Sequence, residues 1–162
     1  MIRKAEPRDA RFLRDMLHHA FYRRETAPGE EEPTYRYVYA WGRPGDTGVI
    51  ALDEGFPVGA AWFRLFRQDA PGYGFVDEQT PELAIAVVPS RRGRGFGEEL
   101  LSALIARARE EGHPALSLNV EKDNPAIRLY ERFGFRPVRE TPATVVMRAD
   151  LASPQEPTQG DR

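Results

Sequence analysis

The sequence predicts one α/β domain, and three observations predict it. The chain has 162 residues, enough for a single compact core. A short apolar run bounded by Pro81 and Pro89 leads through a basic, glycine-rich turn into a helical pattern that closes at Gly112. A second short strand, Leu116-Ser-Leu-Asn-Val120, follows. Strand, turn, helix and strand thus succeed one another across the middle of the chain.

The elements follow in order. Ile2 to Ala5 reads as an opening strand. Asp9 is placed to cap a helix whose apolar positions are Phe12, Leu13, Met16, Leu17, Ala20 and Phe21. Arg23 to Pro33 is polar, with Glu25, Glu30, Glu31 and Glu32, and reads as a solvated loop. Thr34 to Trp41 predicts a second short helix rich in aromatics, and Gly42 to Gly48 a turn region. Gly48 to Asp53 and Val58 to Phe66 flank Glu54-Gly-Phe-Pro57 as the arms of a hairpin. Arg67 to Thr80 is a long polar loop, a length that is often functional.

The helix after the basic turn has Leu100, Leu101, Leu104, Ile105 and Ala108 on one face and Gly112 at its C-terminal cap. Arg136 to Glu140 and Thr144 to Arg148 predict a closing antiparallel pair. The domain is expected to span 1–151. Residues 152–162, rich in Pro, Gln, Ser and Gly without an apolar anchor, are expected to be disordered.

Composition narrows the function. Hydrophobic residues make up 41% and charged residues 30%, which supports a core and a soluble surface. A net charge of −2 argues against nucleic-acid and membrane partners. There is no cysteine, so disulfides, thiolate metal sites and thiol nucleophiles are excluded together. His18, His19 and His113 form no metal constellation, and no metal is expected. No signal peptide or membrane-length apolar run is seen, so the expected location is cytoplasmic.

The turn Arg91-Arg-Gly-Arg-Gly-Phe-Gly97 carries the chemistry. The first N–H groups of a helix lack intrahelical partners and carry the positive end of its dipole. Glycines let a phosphate approach them, and Arg91, Arg92 and Arg94 add positive charge, so the turn suits a diphosphate. A flexible surface turn with solvated arginines is the alternative. No Gly-Lys-Ser/Thr ending is present, which excludes a nucleoside triphosphate P-loop. Glu98 stands where a Gly-x-Gly-x-x-Gly fingerprint needs its last glycine.

Three pieces in fixed order resemble the GCN5-related N-acetyltransferase (GNAT) superfamily. They are Val87-x-Pro89, Arg92-x-x-Gly95-x-Gly97, and Asn124-Pro-Ala-x-x-Leu-Tyr130-Glu-x-x-Gly134-Phe135. The close match runs from Val87 to Phe135, and the amino-terminal half matches only in coarse pattern. The resemblance implies a mixed, mostly antiparallel twisted sheet with helices on both faces and a splayed central parallel strand pair. It implies acetyl-CoA as cosubstrate and a primary amine, of a small molecule or peptide, as acceptor. Another acyl-CoA, or a non-catalytic acyl-CoA-binding module, are the alternatives. Dimers are common among such proteins, so a homodimer is left open.

The resemblance also assigns roles. Arg92, Gly93, Arg94, Gly95, Phe96, Gly97 and Glu98 would hold the diphosphate. Main-chain groups of Ile85, Ala86 and Val87 would pair with the pantetheine amides. Asn124, otherwise a helix N-cap, would add a hydrogen bond to the donor. Tyr130, otherwise a core tyrosine, would return a proton to the leaving thiolate. Some relatives place a glutamate where this chain has Asn119, which cannot take a proton near neutrality. Glu82 is the next candidate base, its alternative reading being a solvated strand-end acid. Glu78 and Glu121 come after it. The acceptor pocket would draw on Phe21 to Tyr37, Arg67 to Thr80 and Thr141 to Thr144.

Overall fold

The computed structural model describes residues 1–21 and 33–151. The acidic stretch around Glu30 and the expected tail at 152–162 lie outside the described residues. Strands are β1 (Ile2–Lys4), β2 (Thr47–Asp53), β3 (Phe56–Arg64), β4 (Glu82–Val87), β5 (Ala115–Glu121), β6 (Arg136–Glu140) and β7 (Thr144–Asp150). Helices are α1 (Ala10–Phe21), α2 (Phe96–Glu110) and α3 (Ile127–Arg132). The strands form one sheet in the order β1-β2-β3-β4-β5-β7-β6. The pairs β1–β2, β2–β3, β5–β7 and β6–β7 are antiparallel, and β4 joins β5 in parallel through one register pair, Glu82↔Ser117. The α/β class and the mixed, mostly antiparallel sheet are as expected.

The chain forms two compact units: Met1–Arg64 with Leu83–Leu104, and Leu65–Glu82 with the chain from Ile105 onward. In the first unit, Leu13, Met16 and Leu17 of α1 are buried, as their spacing predicts. Each such burial is worth about 1.5–3 kcal/mol, against about 1 kcal/mol for a helix cap. The apolar face therefore dominates the stability of α1, which explains why a misread cap costs the prediction little.

That cap is misread. Pro7 starts a 3-10 turn, Pro7–Asp9, one turn ahead of the helix, so Asp9 is the third residue of that turn. Its carboxylate reaches backward, accepting from the Glu6 N–H at 2.8 Å and from both terminal nitrogens of Arg3 at 2.9 Å. The Arg3 hydrogen bonds hold the carboxyl below the usual aspartate range despite partial burial. The second helix expected at 34–41 is likewise shorter. It is a 3-10 helix, Pro33–Tyr37, and positive φ at Ala40 (53°) and Gly42 (111°) ends helical geometry there.

The hairpin joining β2 to β3 is tighter than its sequence suggests. Asp53 pairs with Phe56, leaving Glu54-Gly55 as a two-residue turn with φ of 52° and 86°. Two left-handed residues are what the right-handed twist of a hairpin favours.

At the far end of β3 lies an ion pair that no local pattern announces. Arg64 and Asp46 side chains are 1% and 3% exposed and meet at 2.5 Å and 2.9 Å. The remaining guanidinium donor binds the carbonyls of Arg36 (2.9 Å) and Tyr39 (2.8 Å). Asp46 also accepts from the amides of Gly42 and Arg43. Trp62 Nε1 donates to the Tyr37 carbonyl at 2.9 Å. The 36–46 segment is thus held onto β3 by buried polar bonds rather than by a helix of its own.

In the second unit, Leu116 and Leu118 of β5 and Val145, Val146 and Met147 of β7 are buried. Strand β6 is exposed along its whole length and stands at the sheet edge. Pro137 and an irregular register between Pro137 and Arg139 break its regularity, which blunts pairing with another chain.

The buried pair yields a stability prediction. Asp46→Ala leaves the Arg64 guanidinium buried without its counter-charge, a loss of about 3–5 kcal/mol. Urea denaturation should show the midpoint falling steeply; a change under about 1 kcal/mol would mean that Arg64 finds compensation elsewhere.

Candidate active site

In the first unit, β4 ends at Val87 and the chain turns through Pro89–Arg91 before α2 begins at Phe96. Gly93 and Gly95 have φ of 77° and 89°, in the region that a side chain makes costly. No atom lies within 4 Å of a Cβ built on either, so backbone angle, not space, requires glycine. The first bond of the helix runs from the Glu99 N–H to the Gly95 carbonyl at 3.1 Å. The amides of Phe96 and Gly97 precede it and face out of the helix N-terminus. Arg92 to Glu98 are therefore contiguous in one strand-to-helix turn, as the sequence predicts.

The arginines are less uniform than their spacing suggests. Arg91 Nε binds Asp53 at 2.8 Å, and Arg94 Nη2 lies 3.7 Å from the same carboxylate. The Arg91 hydrogen bond holds the Asp53 carboxyl below its ordinary range. Arg92 Nε turns back to the Val87 carbonyl at 3.1 Å. Asp53, at the end of β2, is a member of this turn that sequence reasoning missed, because the partners stand 38 residues apart.

Ile85 and Val87 are half-buried and Ala86 is buried. The Val88 N–H pairs with the Val58 carbonyl at 2.8 Å. A Cβ at Gly59 would stand 2.9 Å from the Ala86 carbonyl oxygen, so glycine in β3 permits close approach to β4. With Arg92 on its carbonyl, Val87 has one main-chain acceptor already engaged.

Glu82, Asn124 and Tyr130 belong to the second unit. Glu82 is 2% exposed, so the alternative reading as a solvated acid is wrong. Its Oε2 accepts from the Gly74 N–H at 2.9 Å. Asn124 Oδ1 accepts from the Ala126 N–H at 2.9 Å, a local turn that starts the helical segment. That bond uses the Asn124 carbonyl oxygen and not its amide nitrogen, which is the donor of the group. Asn119 lies in β5 opposite Val146. Glu78 is exposed and accepts from the Gln68 amide at 2.8 Å, and Glu121 is exposed at the end of β5.

Tyr130 is 6% exposed, and its phenol makes no hydrogen bond among the described residues. Burial pushes its pKa well above the ordinary value of 10, so it stays protonated near neutrality. The motif around it has a mechanical reading. The Phe135 N–H bonds the Tyr130 carbonyl at 3.0 Å, and the Gly134 N–H bonds the Glu131 carbonyl at 3.1 Å. With φ of 93° at Gly134, this is a Schellman cap. The Phe135 ring then packs edge-on against Tyr130 at 6.0 Å between centroids. Gly134-Phe135 thus ends the helix and fixes the tyrosine ring in one step.

The turn geometry predicts that Gly95→Ala destabilises the chain by roughly 1–2 kcal/mol through backbone strain alone. Urea unfolding measures it. A neutral result would show that the turn tolerates another backbone path.

The family model described as "Acetyltransferase (GNAT) family" matches residues 12–135. A mycothiol acetyltransferase of Corynebacterium aurimucosum is 36% identical over 99 residues, covering 60% of this chain and 29% of that protein. The chain therefore spans under a third of that relative's length. The ribosomal-protein-alanine N-acetyltransferase of Brucella melitensis has a structure matching at TM-score 0.70 and 28% identity, over 93% of this chain and 99% of that one. A phosphinothricin acetyltransferase of Sinorhizobium meliloti, solved with acetyl-CoA, matches at TM-score 0.71 and 25% identity, over 99% and 94%. Together with the fold and the turn from Arg92 to Glu98, the family match over 12–135 establishes that this chain belongs to the GNAT acetyltransferase family.

Proposed function

We propose that this protein transfers an acetyl group from acetyl-CoA directly to a primary amine of a small molecule or peptide. The observation that carries this reading is the turn in which Gly93 and Gly95 adopt positive φ and present the opening amides of α2. That backbone suits a pyrophosphate, which carries charge and several acceptor oxygens. The Sinorhizobium meliloti relative solved with acetyl-CoA supports the choice of ligand.

The residues divide the work. The amides of Gly93, Gly95, Phe96 and Gly97 receive the diphosphate, with Arg92, Arg94 and Glu98 bordering them. Arg92 must leave the Val87 carbonyl, or keep it and bind through its other nitrogens. Main-chain groups of Ile85, Ala86 and Val87 pair with the pantetheine amides, and the Asn124 amide nitrogen adds a donor. The acceptor nitrogen, neutral when it attacks, forms the C–N bond as the C–S bond breaks. Its surplus proton leaves to Glu82, directly or through water, or to solvent. The thiolate takes a proton from the Tyr130 phenol, which is protonated near neutrality even at the ordinary phenol pKa of about 10. No covalent enzyme intermediate is needed, and the chain has no cysteine to form one.

Thiol release from acetyl-CoA tests this with a panel of amines: phosphinothricin, the common L-amino acids and an alanine-initiated peptide. Turnover of at least one is expected. Tyr130→Phe should lower kcat by about 10²-fold, the low end for general acid catalysis because a thiolate already leaves readily. Because the phenol stays protonated in the wild type, that deficit should hold from pH 6 to 9. Equal rates for both proteins across this range would remove Tyr130 from the chemistry, and tight CoA binding without any turnover would favour a binding module.

A further inference from the structure

The polar loop between β3 and β4 is not loosely tethered. Gly74, at its middle, is held from both sides. Its N–H donates to Glu82 Oε2 at 2.9 Å, and its carbonyl accepts from Ser117 Oγ at 2.8 Å. Ser117 is fully buried in β5, opposite Glu82 in the parallel register. Its own N–H binds the Pro81 carbonyl at 3.0 Å, closing the far end of the loop. One residue further on, the Phe75 carbonyl accepts from Arg139 Nη2 at 3.0 Å.

Sterics agree with the bonding. A Cβ at Gly74 would lie 2.7 Å from the Leu118 carbonyl carbon and 2.9 Å from both the Asn119 nitrogen and Glu82 Oε2. The backbone at Gly74 therefore rests directly on the Leu118–Asn119 peptide of β5. A loop that only connected two strands would have no need of a buried hydroxyl and a buried carboxylate on one residue. Buried polar groups are costly unless they are hydrogen-bonded, and once satisfied they favour one arrangement.

We propose that Ser117 and Glu82 are positioning residues: by gripping Gly74 they fix the 65–82 segment against β5 as a preformed wall that selects the acceptor amine. This rests on the acetyl-transfer reading above and deepens it. Glu82 keeps its place as candidate proton acceptor; the grip on Gly74 is a second task of the same carboxylate. Preorganisation of this kind lowers the ordering cost of binding, so its loss should appear in acceptor affinity before it appears in the chemical step.

The test compares wild type with Ser117→Ala and Arg139→Ala. Ser117→Ala leaves the Gly74 carbonyl without its donor. Arg139→Ala removes an exposed side chain and so leaves folding intact. With the best amine of the phosphinothricin, amino-acid and peptide panel, Ser117→Ala should raise the acceptor KM on the order of tenfold, and Arg139→Ala by a smaller factor. The kcat at saturating amine and the Kd for CoA should stay within about twofold. Amide hydrogen exchange at Gly74 and Phe75 should quicken in both variants, a readout that needs no substrate. If the wild type turns over an amine but acceptor KM is unchanged in both variants, or kcat and CoA affinity fall instead, this proposal is overturned while the acetyl-transfer reading stands. If the wild type turns over no amine, both fall together.

Discussion

The backbone angles at Gly93 and Gly95 are the constraint from which the rest of the site follows. An apolar strand must stop and a helix must start within a few residues, and only left-handed residues let the chain reverse so tightly. The reversal leaves the amides of Phe96 and Gly97 at the open helix end, with Arg91, Arg92 and Arg94 on the same turn. Dipole and fixed charge then act in the same direction. Asp53 tempers this charge by holding Arg91 at 2.8 Å.

A second device repeats in the other unit with a different purpose. Gly134 caps α3 and Phe135 packs against Tyr130, so the residue proposed as acid sits in a ring contact rather than on a mobile stem. Burial raises its pKa and keeps it a donor. The same motif therefore serves helix termination and ring placement. In this chain the short segments with strong local rules coincide with the groups given chemical roles.

That coincidence explains what the sequence made legible. Helices α1 and α2, the β2–β3 hairpin, the closing β6–β7 pair and the glycine turn before α2 all obey short-range rules: three-and-four spacing, alternation, positive-φ glycines. Their existence and type could be read, with ends shifted by a few residues. What could not be read is set by polar contacts between distant positions. Arg64 and Asp46 stand 18 residues apart, and Ser117 and Gly74 stand 43 apart. Asp9 reads as a helix cap until Arg3 is seen to claim its carboxylate. Glu82 reads as a candidate base or a solvated strand-end acid, and its burial against Gly74 removes the second reading. One weak signal was present: Ser117 is the polar residue of Ala115-Leu-Ser-Leu118, in a strand otherwise apolar there. A polar side chain inside such a run is a hint that something must satisfy it.

The central claim is that the opening amides of α2 receive the pyrophosphate of coenzyme A. A titration of the isotopically labelled chain with CoA, followed by amide NMR at moderate salt, reads those groups one by one. The account predicts saturable shifts that are largest at Phe96, Gly97 and their glycine neighbours in the turn. Saturable binding that leaves these amides unmoved, or no saturable shift at all, would contradict it.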